Sequence, residues 1–191
     1  MNICLFGAAS SAIDPSYPEA VERLGEAMAR RGHGLVFGGG AEGLMGAAAR
    51  GVARGGGRVL GIAPSFFNVD GVLYDRCTEL IFTETMRERK QLMEDHSDAV
   101  IMTPGGIGSY DEFFEVLTLK QLGRHNMPIA VFDLDEYFKP MLEMLHEAVR
   151  RQFVQEAALG LFGCFSEPEA LLDYLEQYCE PPKCLSELKK V

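Results

Sequence analysis

Residues 104–112 read Pro-Gly-Gly-Ile-Gly-Ser-Tyr-Asp-Glu, and no other stretch of the chain gathers as much potential chemistry. Gly105, Gly106 and Gly108 lie between an apolar run, Ala99 to Thr103, and a helical pattern that starts at Ser109. Glycine backbone passes close to a ligand with no Cβ in the way, and the first turn of a helix adds unpaired N–H groups and the positive end of its dipole. A phosphate fits that setting, held by the amides of Gly105, Gly106 and Gly108 and by the Ser109 hydroxyl. Glu112 follows one turn into the helix. An anion cradle with a carboxylate beside it points to a reaction on a phosphorylated small molecule. Ser109-x-x-Glu112 also matches a capping box, as does Thr85-x-x-Glu88. Ser109 and Glu112 can therefore serve the helix start, the ligand, or both.

Such residues need a scaffold that brings separate loops together. Strands are predicted over 2–6, 34–37, 58–63, 79–83, 99–103, 128–132 and 161–165, alternating with helices over 17–31, 43–54, 86–96, 109–122, 137–152 and 167–178. That alternation specifies an α/β fold, a Rossmann-like doubly wound parallel sheet with helices on both faces, in a single domain. Gly32 and Gly123 stand where C-cap glycines end helices. Residues 1–180 read as the domain, and 181–191, opening with Pro181-Pro182, as a surface tail. In these sheets the ligand lies outside the carboxyl ends of the strands. Small-residue loops follow the first, second and fifth strands: Gly7 to Ser11, Gly38 to Gly43, and Pro104 to Ser109. One glycine-rich loop is weak evidence, since tight turns need glycine anyway, but three on one rim are a stronger signal.

Composition removes several classes of function. With 191 residues, 47% of them hydrophobic, the chain can bury one sizeable core. A formal charge of −10 argues against a nucleic-acid or anionic-membrane partner, which needs a basic patch. The five cysteines are scattered and form no CxxC, which fits a reducing, cytoplasmic setting rather than a disulfide framework or a zinc site. No run approaches the length of a membrane span, and residues 2–6 read as a strand rather than a leader. His33, His96, His125 and His146 lack metal-ligand spacing and read as surface or loop residues.

Taken together, the loops resemble the LONELY GUY family of cytokinin-activating phosphoribohydrolases, long labelled lysine decarboxylase-like, over about residues 2–178. The family signature Pro-Gly-Gly-x-Gly-Thr-x-x-Glu is matched by Pro104 to Glu112, with Ser109 in place of Thr. Its Met-x-x-Arg-Lys element corresponds to Met86-Arg87-Glu88-Arg89-Lys90, and its glycine loop to Phe37 through Gly46. Two further departures are Phe6-Gly7-Ala8 for the usual Cys-Gly-Ser, and Arg87 for the usual His.

The resemblance implies hydrolysis of the N-glycosidic bond of an adenosine-type 5′-monophosphate, especially one with an isoprenoid chain on N6. The products are the free base and ribose 5-phosphate, and no metal or organic cofactor takes part. It assigns Glu112 as the carboxylate that stabilises positive charge on the ribose or activates water, and Arg89 as its catalytic partner, serving either the leaving base or the phosphate. It places Gly39 and Gly40 on the neighbouring wall and brings Met86 and Lys90 to the substrate, although Lys90 by itself reads as a structural or salt-bridged lysine. Glu115, three residues beyond Glu112, has three places open to it: in the site, against Arg89, or in solvent. Arg89 itself is expected at a helix surface bordering the cleft. The resemblance also implies a homodimer or higher homo-oligomer in which the dimer partner contributes to the pocket, in keeping with the apolar helix from Phe113 to Leu122. Other readings are a broader nucleoside-monophosphate nucleosidase in salvage and a nucleotide-binding sensor or carrier without turnover. Amino-acid decarboxylation lacks a pyridoxal-phosphate lysine motif.

Overall fold

A computed structural model describes residues 1–179, so the expected tail over 181–191 lies outside the described residues. The strands are β1 (Asn2–Phe6), β2 (Gly34–Phe37), β3 (Val59–Pro64), β4 (Glu79–Thr83), β5 (Ala99–Met102), β6 (Ile129–Phe132) and β7 (Gly163–Phe165). The helices are α1 (Ser16–Arg30), α2 (Gly43–Arg54), α3 (Met86–Asp95), α4 (Ile107–Gln121), α5 (Lys139–Arg150) and α6 (Pro168–Gln177). All neighbouring strands pair parallel, in the order β4-β3-β2-β1-β5-β6-β7. The chain builds outward from β1 to β4, then returns to the other side of β1 with β5. The strand order therefore reverses between β1 and β5, which opens a crevice beyond their carboxyl ends.

Side chains alternate across the sheet with the period of a strand. In β1, Ile3 and Leu5 pack with Leu24 of α1, Leu44 of α2 and Leu171 of α6, while Cys4 and Phe6 pack with Met93 of α3 and Phe113 of α4. Both faces are thus covered, which is why the central strands are apolar at nearly every position. The molecule is the single-domain Rossmann-like sheet that the sequence pattern predicts. Among the described residues no helix is long and apolar enough to cross a membrane.

Several local expectations change. Helix α4 starts at Ile107, two residues before the predicted start, on the backbone of Gly106 and with no side-chain cap. Glycines signal a loop by propensity, but a first helical turn needs no i→i−4 bond from its own N–H groups, so Gly108 costs little there. Ser109 and Glu112 consequently lie inside the helix and buried, and their capping role is lost. The other capping motif is half kept: the Thr85 hydroxyl accepts from the Glu88 N–H at 3.1 Å, but the Glu88 carboxylate accepts from the Glu84 N–H, not from that of Thr85. His33 is buried rather than on the surface, with Nε2 2.8 Å from the Glu176 carboxylate. Short 3₁₀ helices form at Ser65–Phe67, where no element is predicted, and at Glu156–Leu161, which runs into the expected strand over 161–165 and shortens it.

Candidate active site

A cavity of about 530 Å³ opens at the crevice between β1 and β5. The loop after β1 contributes Gly7 to Ala9, the loop after β2 contributes Gly38 and Gly40, and the start of α4 contributes Gly106, Gly108 and Ser109. Arg89 from α3 and Glu112 from α4 complete its polar side. These loops meet because the strands are parallel and in register, so all their carboxyl ends reach one rim.

Arg89 and Glu112 form an ion pair, Nη1 to Oε1 2.9 Å, with side chains only 6% and 8% exposed. The Arg89 Nε also donates to the Ile62 carbonyl in β3, at 3.2 Å. Its guanidinium rests directly on Gly38, where any Cβ would collide with it. The arginine expected at a helix surface is therefore buried, because α3 packs its polar side chain across the ends of β2 and β3 instead of into solvent. Burial raises the Glu112 carboxyl above the usual carboxylate range, and the Arg89 charge works in the opposite direction. A carboxylate with little water around it and one fixed cation beside it is suited, in its ionised form, to stabilising developing positive charge or to taking a proton from water.

The N-termini of α2 and α4 both reach the rim, and they differ in availability. At α2 the Ala8 carbonyl accepts the Leu44 N–H at 2.8 Å and the Met45 N–H at 3.4 Å, so this end is used within the fold. At α4 the N–H groups of Ile107, Gly108 and Ser109 have no acceptor among the described residues. The end whose amides stay open to the cavity is that of α4, and the glycine loop after β2 admits Arg89 and shapes the wall.

The sequence-named residues separate into two groups. Arg89, Glu112, Gly40, Met86, Gly106, Gly108 and Ser109 face the cavity. Gly39 turns away from it, with its carbonyl accepting the Tyr74 N–H at 2.8 Å. Gly105 lies buried behind Ser109, whose side chain leaves no room for a Cβ. Lys90 points to the outer side, paired with Asp111 at 3.0 Å and with Glu115. Burial disfavours the Lys90 charge, but these two carboxylates hold its pKa above the usual value. Glu115 is half-exposed and bound to Lys90, not to Arg89. Both lie at a small cleft behind Glu112, a consequence of the 100° step between successive helix residues that turns Lys90 away from Arg89.

Motif reading reached only the two methionines of the apolar wall. Phe67, Val72 and Leu73, from the segment between β3 and β4, line the cavity together with Met45 and Met86. The segment is laid across the mouth by a bridge between Gly40 and Leu73 and by the Ala41 N–H donating to the Val72 carbonyl at 3.0 Å. The available signal was a set of large apolar residues, Phe66 to Leu73, in a stretch with no strand or helix pattern. Glu42, also unremarked, stands at the cavity as the residue before α2.

A family model described as "Possible lysine decarboxylase" matches residues 45–175. A probable cytokinin riboside 5′-monophosphate phosphoribohydrolase of Oryza sativa subsp. japonica is 35% identical over 188 residues, covering 98% of this chain and 76% of that protein. A cytokinin riboside 5′-monophosphate phosphoribohydrolase of Arabidopsis thaliana is 35% identical over 177 residues, covering 93% and 82%. Among solved structures, a molybdenum cofactor binding protein from Rippkaea orientalis superposes with a TM-score of 0.70 at 20% identity, covering 92% of this chain and 94% of that one. At that identity the likeness shows a shared fold. Matched by the family model over most of its length and by these phosphoribohydrolases over nearly all of it, the chain belongs to the family described as possible lysine decarboxylases, together with the cytokinin riboside 5′-monophosphate phosphoribohydrolases.

Proposed function

We propose that this protein hydrolyses the N-glycosidic bond of adenosine 5′-monophosphates, releasing the free base and ribose 5-phosphate, with a base carrying an isoprenoid group on N6 preferred. The observation that carries the reading is the buried Arg89–Glu112 pair facing a cavity whose rim holds the free amides of α4. Gly108 and Glu112 are four residues apart on one helix, about 6 Å of rise, comparable with the reach from a 5′-phosphate to C1′ of the ribose. With the phosphate on the α4 N-terminus, Glu112 lies beside the carbon that gains positive charge as the base departs. Glu112 stabilises that charge or deprotonates the attacking water, and Arg89 keeps it ionised and aimed. Met45, Phe67, Val72, Leu73 and Met86 offer the base an apolar wall, which favours an apolar N6 substituent over a bare amino group.

The reaction takes place in one catalytic domain over residues 1–180, without a metal or organic cofactor, in a reducing cytoplasmic setting. The enzyme is a homodimer. Its interface is the outer face of α4, where Ile107 is 90% exposed and a shallow groove runs between Tyr110, Phe114 and Leu119.

Chromatography of the products tests the reaction. Incubation with N6-isopentenyl AMP, AMP and adenosine should release free base from both monophosphates, with kcat/KM at least about 100-fold above that for adenosine, the worth of two hydrogen bonds to a charged group. Equal kcat/KM for AMP and adenosine would contradict the phosphate site. Treatment with EDTA should leave the rate unchanged.

A further inference from the structure

The loop between β6 and α5 carries backbone strain beside the cradle without lining the cavity itself. Asp135 and Glu136 both lie in the left-handed region, with φ of 52° and 55°. Residues with a Cβ enter that region at a cost and stay there only where their surroundings hold them. Here the Asp133 carboxylate accepts the Phe138 N–H at 3.0 Å, and the Leu134 carbonyl accepts the Tyr137 N–H at 3.0 Å. Fully buried Phe138 stands edge-on to the Tyr137 ring, centroids 5.0 Å apart. So anchored, the Tyr137 hydroxyl donates to the Gly105 carbonyl at 2.6 Å.

Gly105 is buried and outside the cavity, whereas Gly106 is exposed and lines it. Across a trans peptide, the carbonyl of one residue and the N–H of the next point in opposite directions, and no described peptide bond is cis. A hydroxyl that holds the Gly105 carbonyl from behind therefore turns the Gly106 N–H toward the cavity. The preceding peptide is held too, by the Ala8 N–H donating to the Pro104 carbonyl at 3.0 Å. Two adjacent glycines without such restraints rotate their shared peptide readily, since no Cβ opposes it.

We propose that Tyr137 is a positioning residue for phosphate recognition, locking the Gly105–Gly106 peptide so that the Gly106 N–H joins the free amides of α4 on the substrate phosphate. The inference rests on the 5′-monophosphate reading of the site. Tyr137→Phe keeps the ring and its packing on Phe138 and removes only the hydroxyl. It should raise KM for AMP about 10-fold, the scale of one hydrogen bond to a charged group, with kcat within about twofold and KM for adenosine unchanged. A purely structural role would move both substrates together. Calorimetric titration of ribose 5-phosphate reads the same peptide without turnover, and the variant should bind it about 10-fold more weakly at an unchanged melting temperature. Failure of the unmodified protein to release base would sink the proposed reaction, while a weakened ribose 5-phosphate affinity in the variant would still establish the positioning role. Equal affinity in the two proteins, no binding by either, or an equal rise in KM for AMP and adenosine would overturn it.

Discussion

At the scale of single residues, Glu112 and Arg89 cannot be understood apart. Glu112 is 7% exposed and Arg89 5%, so each is the other's principal compensation for lost water. Breaking a buried pair by removing one partner leaves an uncompensated charge, at a cost of about 3–5 kcal/mol. Arg89→Ala should therefore lower stability by about that amount in urea denaturation, along with activity, which reverses what a surface arginine would do. Glu112→Gln retains the shape and one acceptor but loses the charge, so kcat should fall by about 10²–10⁴ in protein that is folded by circular dichroism. Near-native kcat in that variant would remove the proposed mechanism. The raised Glu112 pKa also gives pH effects of opposite sign. Activity should fall as pH drops through the raised value, because the working form is the carboxylate. Stability should change the other way: between the ordinary value of 4.5 and the raised one the folded state holds more protons than the unfolded, so this group makes stability fall as pH rises across that window. Urea denaturation of the native protein and Glu112→Gln across that range isolates the effect, since the variant lacks the titrating group.

At the scale of elements, the start of α4 and the loop after β2 divide the work between them. Because α4 starts at Ile107 on the backbone of Gly106 with no side-chain cap, its first-turn amides stay open to the cavity. A capping serine or aspartate there would have consumed at least one of them. The loop after β2 contributes an absence of side chain, since only glycine at position 38 admits the Arg89 guanidinium. Gly38→Ala should displace Arg89, destabilise by about 1–3 kcal/mol as an overpacked site does, and reduce kcat. Gly106→Ala is the control for folding, because a Cβ there meets nothing within 4 Å, and its melting temperature should match that of the native protein. Similar losses of stability in both variants would argue against the Gly38 contact.

At the scale of the whole molecule, α4 belongs to two surfaces at once. Phe113, Val116 and Leu117 are buried on the sheet, while Ile107 and Leu122 remain exposed and Phe114 and Leu119 are half-buried around the outer groove. One helix with more apolar circumference than its own sheet covers is what a second copy would bury. Light scattering at micromolar concentration should report a dimer, and Leu119→Asp should shift it to monomer without unfolding it, since this side chain contributes to the groove rather than to the sheet-facing core. A native protein that scatters as a monomer would refute the assembly. Because Ile107 joins the groove to the first turn of α4, dilution to monomer should also lower activity.

Local information carried much of this protein. The period-2 alternation that splits β1 between Ile3/Leu5 and Cys4/Phe6, and the helical patterns between strands, are properties of neighbouring residues, so the elements were legible to within a few residues and their parallel order to the level of a class. The glycine loop before α4 and Glu112 were legible from residue type and spacing, whereas Arg89 was singled out only by the resemblance to the family's Met-x-x-Arg-Lys element. Three further features depended on contacts across the chain. Arg89 is buried because Ile62 and Gly38, distant in sequence, are present to receive it. The Phe67 to Leu73 wall reaches the cavity through a bridge to Gly40, and Lys90 and Glu115 lie behind the site because of where two helices face each other. Spacing along a chain states which side chains share a helix face. Only the packed sheet decides what that face meets, and hence whether a charge there is solvated or held without water beside a substrate.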